Sequence, residues 1–342
     1  MVLKQLLGIE LPLVQAPMAG IQGSELAASV CNAGALGSLP CASLSPNAMH
    51  RELAALKAQT DRPFNVNFFC HAPPTPDAAR EAAWRAALAP YYQELGVDLG
   101  SIPGDTGRKP FDAAAAHLLA EFKPAVVSFH FGLPAPELLA LVKSWGSKVM
   151  ASATTVAEAR WLERHGADII IAQGVEAGGH RGMFLTDDTT TQIGTFALVP
   201  QIVRAVSVPV IAAGGIAEPR GVAAAMALGA AGVQVGTAYL LCPEAKTSPV
   251  HRAALKSEDA SHTALTNLFT GRPARAIVNR LMRELGPLSD LPPAFPLAAA
   301  ALQPLRARAE ALGRGDFSPL WCGQHRGCKE IPAAALTRQL MA

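Results

Sequence analysis

The sequence predicts an α/β fold, a (β/α)8 TIM barrel carrying a small, mainly helical inserted domain. Short apolar runs rich in Val and Ile recur at residues 12–18, 35–39, 63–69, 125–131, 148–153, 168–173, 208–213 and 232–237. They are continuous rather than alternating, the pattern of strands covered on both faces by crossover helices. Their number, eight, is what a parallel barrel needs and a doubly wound sheet rarely uses.

The connections follow the same logic. Thr154 and Thr155 precede Val156, Ala157 and Glu158, an N-cap followed by an acidic first turn. That helix should stop at Gly166, and the one before the last strand at Gly229. Residues 71–111 are long and Pro-rich, which makes the fourth strand the least regular and points to a helical excursion over the barrel mouth. After Pro243 the strand pattern stops, and residues 244–309 read as helices around a Pro-rich patch at 286–296. The expected division is a barrel at 1–243, a small helical lid domain at 244–309 and a segment returning to the barrel at 310–342.

Composition narrows the function. Of 342 residues, 50% are hydrophobic and 16% charged, so most of the chain is ordered around a large core. Lys and Arg number 29 against 27 Asp and Glu, and the net +2 is too small an electrostatic footprint for nucleic acid. The uncharged run 221–243 is long enough to span a bilayer, which takes about 20 residues. It is mostly Ala and Gly, however, and contains Gln234 and Thr237; a helix at 222–228 and a buried strand at 232–236 account for it. No secretory signal is visible in residues 1–10, and the six cysteines lack a disulfide-framework spacing. A cytoplasmic enzyme of small molecules is expected, without membrane or nucleic-acid partners, as a monomer or homodimer.

In such a barrel the chemistry sits at the C-terminal ends of the strands. The seventh run ends in Gly214 and Gly215, and the eighth in Gln234, Val235, Gly236 and Thr237. Glycines there let backbone N–H groups approach a phosphate, so a phosphorylated cofactor or substrate is expected. The sixth run ends in Gln173 and leads into Gly178, Gly179, His180, Arg181 and Gly182. This loop is suited to hugging a flat ligand while aiming one imidazole, His180, as general base or hydrogen-bond donor. Arg181 either attracts an anionic substrate or is a solvated surface residue. The first run ends in Ala16, Pro17 and Met18, a small apolar surface for the face of a flat ring or simply core. Asn67 is costly in an apolar strand unless it bonds something, such as a polar ring edge. The fourth run delivers His130.

These residues resemble the nitronate monooxygenases, formerly called 2-nitropropane dioxygenases, and in particular their class I branch. The resemblance covers nearly the whole chain and rests on residues 15–20, 65–71, 128–134, 171–182, 209–216, 232–237, 271–275 and 321–324. It implies FMN held without a covalent bond. By position Asn67, Gln173, Gly178, Gly215 and Gln234 to Thr237 would contact it, with Ala16 to Met18 along its ring and His180 as the active-site histidine. The implied reaction oxidises alkyl nitronates, such as propionate 3-nitronate, with O2 to a carbonyl compound and nitrite. Class I members often carry a Tyr ahead of a Pro-Leu in the lid, where this chain has Phe295 before Pro296 and Leu297. The alignment thus removes a hydroxyl from the substrate side.

Two other readings compete. An FMN-dependent NAD(P)H:quinone or enoyl reductase would use the same barrel; residues 128–134 and 321–324 favour the monooxygenase. A metal-dependent TIM-barrel hydrolase could recruit His71, His130 and His180. Such hydrolases usually want a His-x-His on the first strand and an acid on the eighth, where this chain has Gln15, Ala16, Pro17 and Gly236, Thr237, so no metal site is expected.

Overall fold

The computed structural model describes residues 2–104, 108–325 and 327–342. In chain order the strands up to the end of the barrel are β1 (Leu13–Gln15), β2 (Gly37–Pro40), β3 (Phe64–Phe69), β4 (Val126–His130), β5 (Lys148–Ala153), β6 (Ile169–Gln173), the two-residue β7 (Gly179–His180), β8 (Val210–Ala213) and β9 (Gly232–Val235). All but β7 form one parallel sheet in the order β1-β9-β8-β6-β5-β4-β3-β2. A parallel bridge between Val14 and Leu36 closes it into a barrel. There Gln15 N donates to Leu36 O and Leu36 N to Leu13 O, each at 2.9 Å. Seven of the eight expected runs contain one of these strands, and the run 35–39 overlaps β2, which extends one residue further to Pro40. The first shortens most, because Ala16 to Met18 leave the ladder and turn along the barrel rim.

Strand periodicity sorts the core into two shells. Val14, Val126, Met150, Ile169, Ile171 and Ile211 form one buried cluster with Leu3 and Leu7, so the helix Val2–Leu7 plugs the barrel floor. Their strand neighbours Leu13, Ala151, Ile170, Ala172, Ala212 and Val233 pack outward against helix residues such as Leu26, Leu162 and Ile202. The helices obey their end signals. Thr155 caps Val156–Arg164, its hydroxyl accepting from Glu158 N at 3.2 Å, and Gly166 and Gly229 take φ of +99° and +96° beyond helix ends. The run at 221–243 resolves into the helix Pro219–Ala227 and β9, and no helix among the described residues is long and apolar enough to cross a membrane.

The cover over the barrel mouth is built from two separate stretches of chain. The excursion at 71–111, of which 105–107 lie outside the described residues, contains the helix Ala78–Leu95. This packs on the helix Ala298–Ala311: Trp84 Nε1 donates to Ala298 O at 3.1 Å and Tyr92 Oη to Ala301 O at 2.6 Å. The expectation that strands stop after Pro243 is corrected by β10 (Thr263–Thr266) and β11 (Ala274–Ile277), an antiparallel pair. Four residues are too few to show a period, and the charge of Arg275 interrupts the apolar pattern of β11. Its far edge pairs antiparallel with β7, which ties the cover to the barrel. The tail helix Ala333–Leu340 returns to the barrel against Ser24–Asn32, with Tyr239 Oη 2.8 Å from Thr337 Oγ1.

Leu3→Ala tests the floor. Leu3 is fully buried, so the truncation should cost about 3 kcal/mol in urea unfolding. A loss below about 1 kcal/mol would show that the helix Val2–Leu7 does not seal the barrel.

Candidate active site

The rim of the barrel opens into a cavity lined by Ala16, Pro17, Met18, Asn67, His130, Gln173, Gly178, Gly179, His180, Gly214, Gly215, Gln234, Gly236 and Thr237. The fold thus brings together residues from six different barrel strands and the loops that follow them. Two expected members are not there. Val235 is 1% exposed and points out into the shell between sheet and helices, because its neighbours Gln234 and Gly236 take the inward positions of a period-two strand. Its carbonyl accepts from Ala16 N at 2.8 Å. Arg181 is neither at the substrate nor in solvent: it is 0% exposed and absent from the cavity lining.

The Arg181 guanidinium lies behind the loop that follows β6. It donates to Gln173 O at 2.7 Å, Gly174 O at 2.8 Å and Gln192 Oε1 at 2.9 Å. Burial, and then the charge of Arg275, pull its pKa down to about 9, opposed by Glu176 and Glu158. The Gln173 amide braces the same loop from the cavity side, its Nε2 donating to His180 O at 3.0 Å and its Oε1 accepting from Gly182 N at 2.7 Å. Gln173 was expected as a cofactor contact; it lines the cavity, but both ends of its amide hold the loop. Arg275 Nε donates to Val175 O at 2.8 Å, and the Glu176 carboxylate accepts from Thr195 N and Oγ1, each at 2.8 Å. His180 therefore sits on a short braced strand rather than on a free glycine-rich loop.

Around His180 stand the rings of Trp321, Phe295, Phe131 and Phe69, with centroids 5.3, 5.4, 6.0 and 6.2 Å away. Its Nε2 is 2.9 Å from Thr270 Oγ1. Desolvation in this setting, then the charges of Arg108 and Arg272, hold its pKa well below the ordinary value, so the imidazole is neutral at pH 7. His130 places Nε2 3.1 Å from His180 O and Nδ1 3.1 Å from Ser152 Oγ. A carbonyl only accepts, so His130 carries its hydrogen on Nε2 and takes the Ser152 hydroxyl hydrogen at Nδ1. With burial lowering its pKa to about 4, it too is neutral and serves the His180 backbone. His71 does not line the cavity; its ring meets Phe295 edge-on at 4.8 Å. Among the described residues no three of His, Cys, Asp and Glu converge as a metal site.

The lining also contains Phe69, Arg108, Ser128, Ser152, Trp321 and His325, which the sequence reading did not assign to the site. Ser128 was within reach: it is the register partner of Asn67, whose Nδ2 donates to Ser128 Oγ at 2.9 Å. Phe69 is two residues beyond Asn67 on the same strand face. Arg108 and His325 come from the excursion and the tail, where no pattern marks them.

The cavity suits a flat, phosphorylated group. Gln234 Oε1 is buried without a partner, an acceptor awaiting a donor from a ligand. A Cβ on Gly178 would lie 2.5 Å from Gly323 N, so the loop and the tail approach each other as only glycine allows. Gly214 has φ +116°, a conformation that side chains avoid, at the turn after β8.

A closed parallel barrel with its cavity at the C-terminal ends of the strands is the architecture of an enzyme whose loops carry the chemistry. The sequence model of the nitronate monooxygenase family matches residues 1–342. The nitronate monooxygenase of Paraburkholderia phytofirmans is 42% identical over 98% of this chain and 92% of its own length, and that of Pseudomonas aeruginosa 41% identical over 98% and 97%. Among solved structures, a nitroalkane oxidase from Streptomyces ansochromogenes superposes with a TM-score of 0.90 at 40% identity, covering 99% of this chain and 97% of that one. FabK from Thermotoga maritima follows at 0.72 and 29% identity, covering 99% and 94%. The chain belongs to the nitronate monooxygenase family, and it is an oxidoreductase.

Arg181→Met should destabilise the protein by about 3 kcal/mol, since it strips the guanidinium from the buried carbonyls of Gln173 and Gly174, the latter keeping only Ala177 N, and from Gln192 Oε1, and urea unfolding measures it. A loss under about 0.5 kcal/mol would mean that the loop stands without it. Acid should also weaken the fold. His130 and His251, the latter buried with Nε2 3.1 Å from Trp321 O, both have folded pKa values lowered to about 4. The unfolded chain protonates them near the usual His value of about 6.5, so it binds more protons between these limits. Stability is then full above pH ~6.5 and falls towards pH ~4, by up to about 1.4 kcal/mol per pH unit for each histidine. Urea midpoints at pH 7.5 and 5.0 measure the fall, and His251→Gln should flatten it.

Proposed function

We propose that the enzyme oxidises alkyl nitronates, such as propionate 3-nitronate, with O2 to a carbonyl compound and nitrite, using FMN held without a covalent bond in this cavity. The observation that carries the reading is the pairing of a neutral, braced His180 in an aromatic box with a glycine-lined slot in which the buried acceptor Gln234 Oε1 has no partner among the described residues. When bound, FMN supplies the electron-accepting chemistry, and the protein supplies binding, orientation and polarity. Ala16, Pro17 and Met18 would support one face of its ring. Gln234 and the Oδ1 of Asn67 would meet its polar edge, and Gly178 and Gly179 its outer side. Gly214, Gly215, Gly236 and Thr237 would hold its phosphate by backbone N–H groups.

His180 keeps Nε2 on Thr270, which leaves Nδ1 for the substrate. In the tautomer with hydrogen on Nδ1 it donates to a nitronate oxygen; in the other it takes the carbon-bound proton from a neutral nitroalkane. The four rings exclude water around it and strengthen either interaction. Phe295 supplies only a phenyl edge, so the substrate takes no hydroxyl bond from that side. The same reading treats 1–243 as the flavin barrel, 244–309 as its lid and 310–342 as the returning tail. It places a monomer or homodimer in the cytoplasm, where reducing conditions suit the six free cysteines.

Purified protein should be yellow and release FMN on denaturation. Mixed anaerobically with propionate 3-nitronate, the flavin absorbance should bleach; bleaching by NADH and not by the nitronate would assign the protein to the reductases instead. His180→Asn should keep the flavin and slow turnover roughly 10²- to 10⁴-fold. Unchanged oxygen uptake would remove His180 from this role.

A further inference from the structure

Among the described residues, the ionisable side chains lining the cavity are Arg108, His130, His180 and His325, with no Asp or Glu. His130 and His180 are neutral for the reasons given above. Arg272, which depresses both, lies outside the cavity lining: its guanidinium sits 4.2 Å over the Phe131 ring and donates to Met183 O, and its buried Nε has no partner among the described residues. Arg108 is therefore the permanent cation facing the ligand among the described residues. Its Nη1 is buried and has no hydrogen-bond partner among the described residues, although a guanidinium withdrawn from water normally finds an acceptor. Its guanidinium lies 6.0 Å from the ring of Phe295, on the cover side of the cavity. The strand ends that bear Asn67, Gln173 and Gln234 lie on the barrel side. A molecule reacting at the barrel side would thus extend its far end towards Arg108.

We infer that Arg108 is a specificity-determining residue: it binds a carboxylate at the end of the substrate remote from the nitronate, and selects dianionic substrates over monoanionic ones of the same length. This rests on the nitronate reading above and adds the group that reads the substrate's tail. The guanidinium fork matches a carboxylate bidentately, which an ammonium does not. The incoming anion satisfies an orphaned donor and places its charge against an uncompensated cation, while a nitronate ending in a methyl group does neither. Phe295 lends the guanidinium an aromatic face and no competing acceptor.

The test uses the flavin-loaded wild type with Arg108→Met and Arg108→Lys, flavin content confirming that each has folded. Oxygen uptake is followed with propionate 3-nitronate, which is dianionic, and with propyl-1-nitronate, which lacks the carboxylate. Arg108→Met should lose about 50-fold in kcat/KM on the dianion, mainly through KM, and no more than about threefold on the monoanion. Arg108→Lys should recover part of the difference. Equal losses on both substrates, or none on either, would overturn the assignment. Calorimetric titration with succinate gives a readout that does not depend on turnover. Its Kd should weaken at least about tenfold in Arg108→Met, and an unchanged Kd counts against the site. If the wild type oxidises neither nitronate while succinate binding still depends on Arg108, the nitronate reading fails and the carboxylate site stands.

Discussion

The site depends on a charge that never meets the substrate. Arg181 is withdrawn completely from water and donates to two consecutive backbone carbonyls, Gln173 O and Gly174 O, where β6 ends and the glycine-rich turn begins. Such a turn has little side-chain packing of its own, and glycine loses more backbone entropy on ordering than any other residue. The compensating order is supplied by fixed polar groups. Arg181 and Arg275 hold the loop from behind, Gln173 clamps its two limbs, and Glu176 ties it to Thr195. Only with this frame do Gly179 and His180 pair with β11 and present one imidazole at a defined place.

Electrostatics in the cavity follow from the same burial. Desolvation is the largest cause of the lowered pKa at His71, His130 and His180, and the neighbouring arginines add to it. The result is a set of neutral imidazoles beside one solvent-poor guanidinium, in a lining that has no carboxylate among the described residues. A neutral imidazole is a better proton acceptor than an imidazolium, and the surplus positive charge belongs to a residue that cannot lose it near neutral pH. An anionic ligand is thus favoured without any residue having to change protonation state.

The cover has a corresponding division of labour. Its core packs Trp84, Leu88, Tyr92, Leu302 and Leu305 between two helices from distant parts of the chain. Its inner surface contributes Phe295, and Arg108 comes from the excursion. The ring box around His180 draws on β3, the end of β4, the cover and the tail at once. No single segment encloses the imidazole, so the enclosure is a property of the assembled fold.

The eight strands, the ends of several helices and the rim positions of the glycines were legible in the sequence, because each has a local cause: buried-strand runs, capping hydroxyls and turns that need positive φ. His180 and the small residues Ala16 to Met18 were legible because the barrel fixes which strand ends carry the chemistry. The strands β10 and β11 were not, being too short to show a period, and neither was the outward face of Val235, since register alone decides which of two neighbouring residues turns inward. Arg181 next to a catalytic-looking histidine reads equally as a substrate anchor or a solvated surface residue; only tertiary packing shows that it is buried and donates to the backbone of its own loop and to Gln192. Arg108 lies 72 positions from His180, in a stretch without periodicity. Local and periodic constraints along the chain fix the barrel, its rim and the placing of an imidazole there. Which charges face the ligand and which brace the frame was decided by the tertiary structure, because contacts between distant segments set both the burial and the partners of each charge.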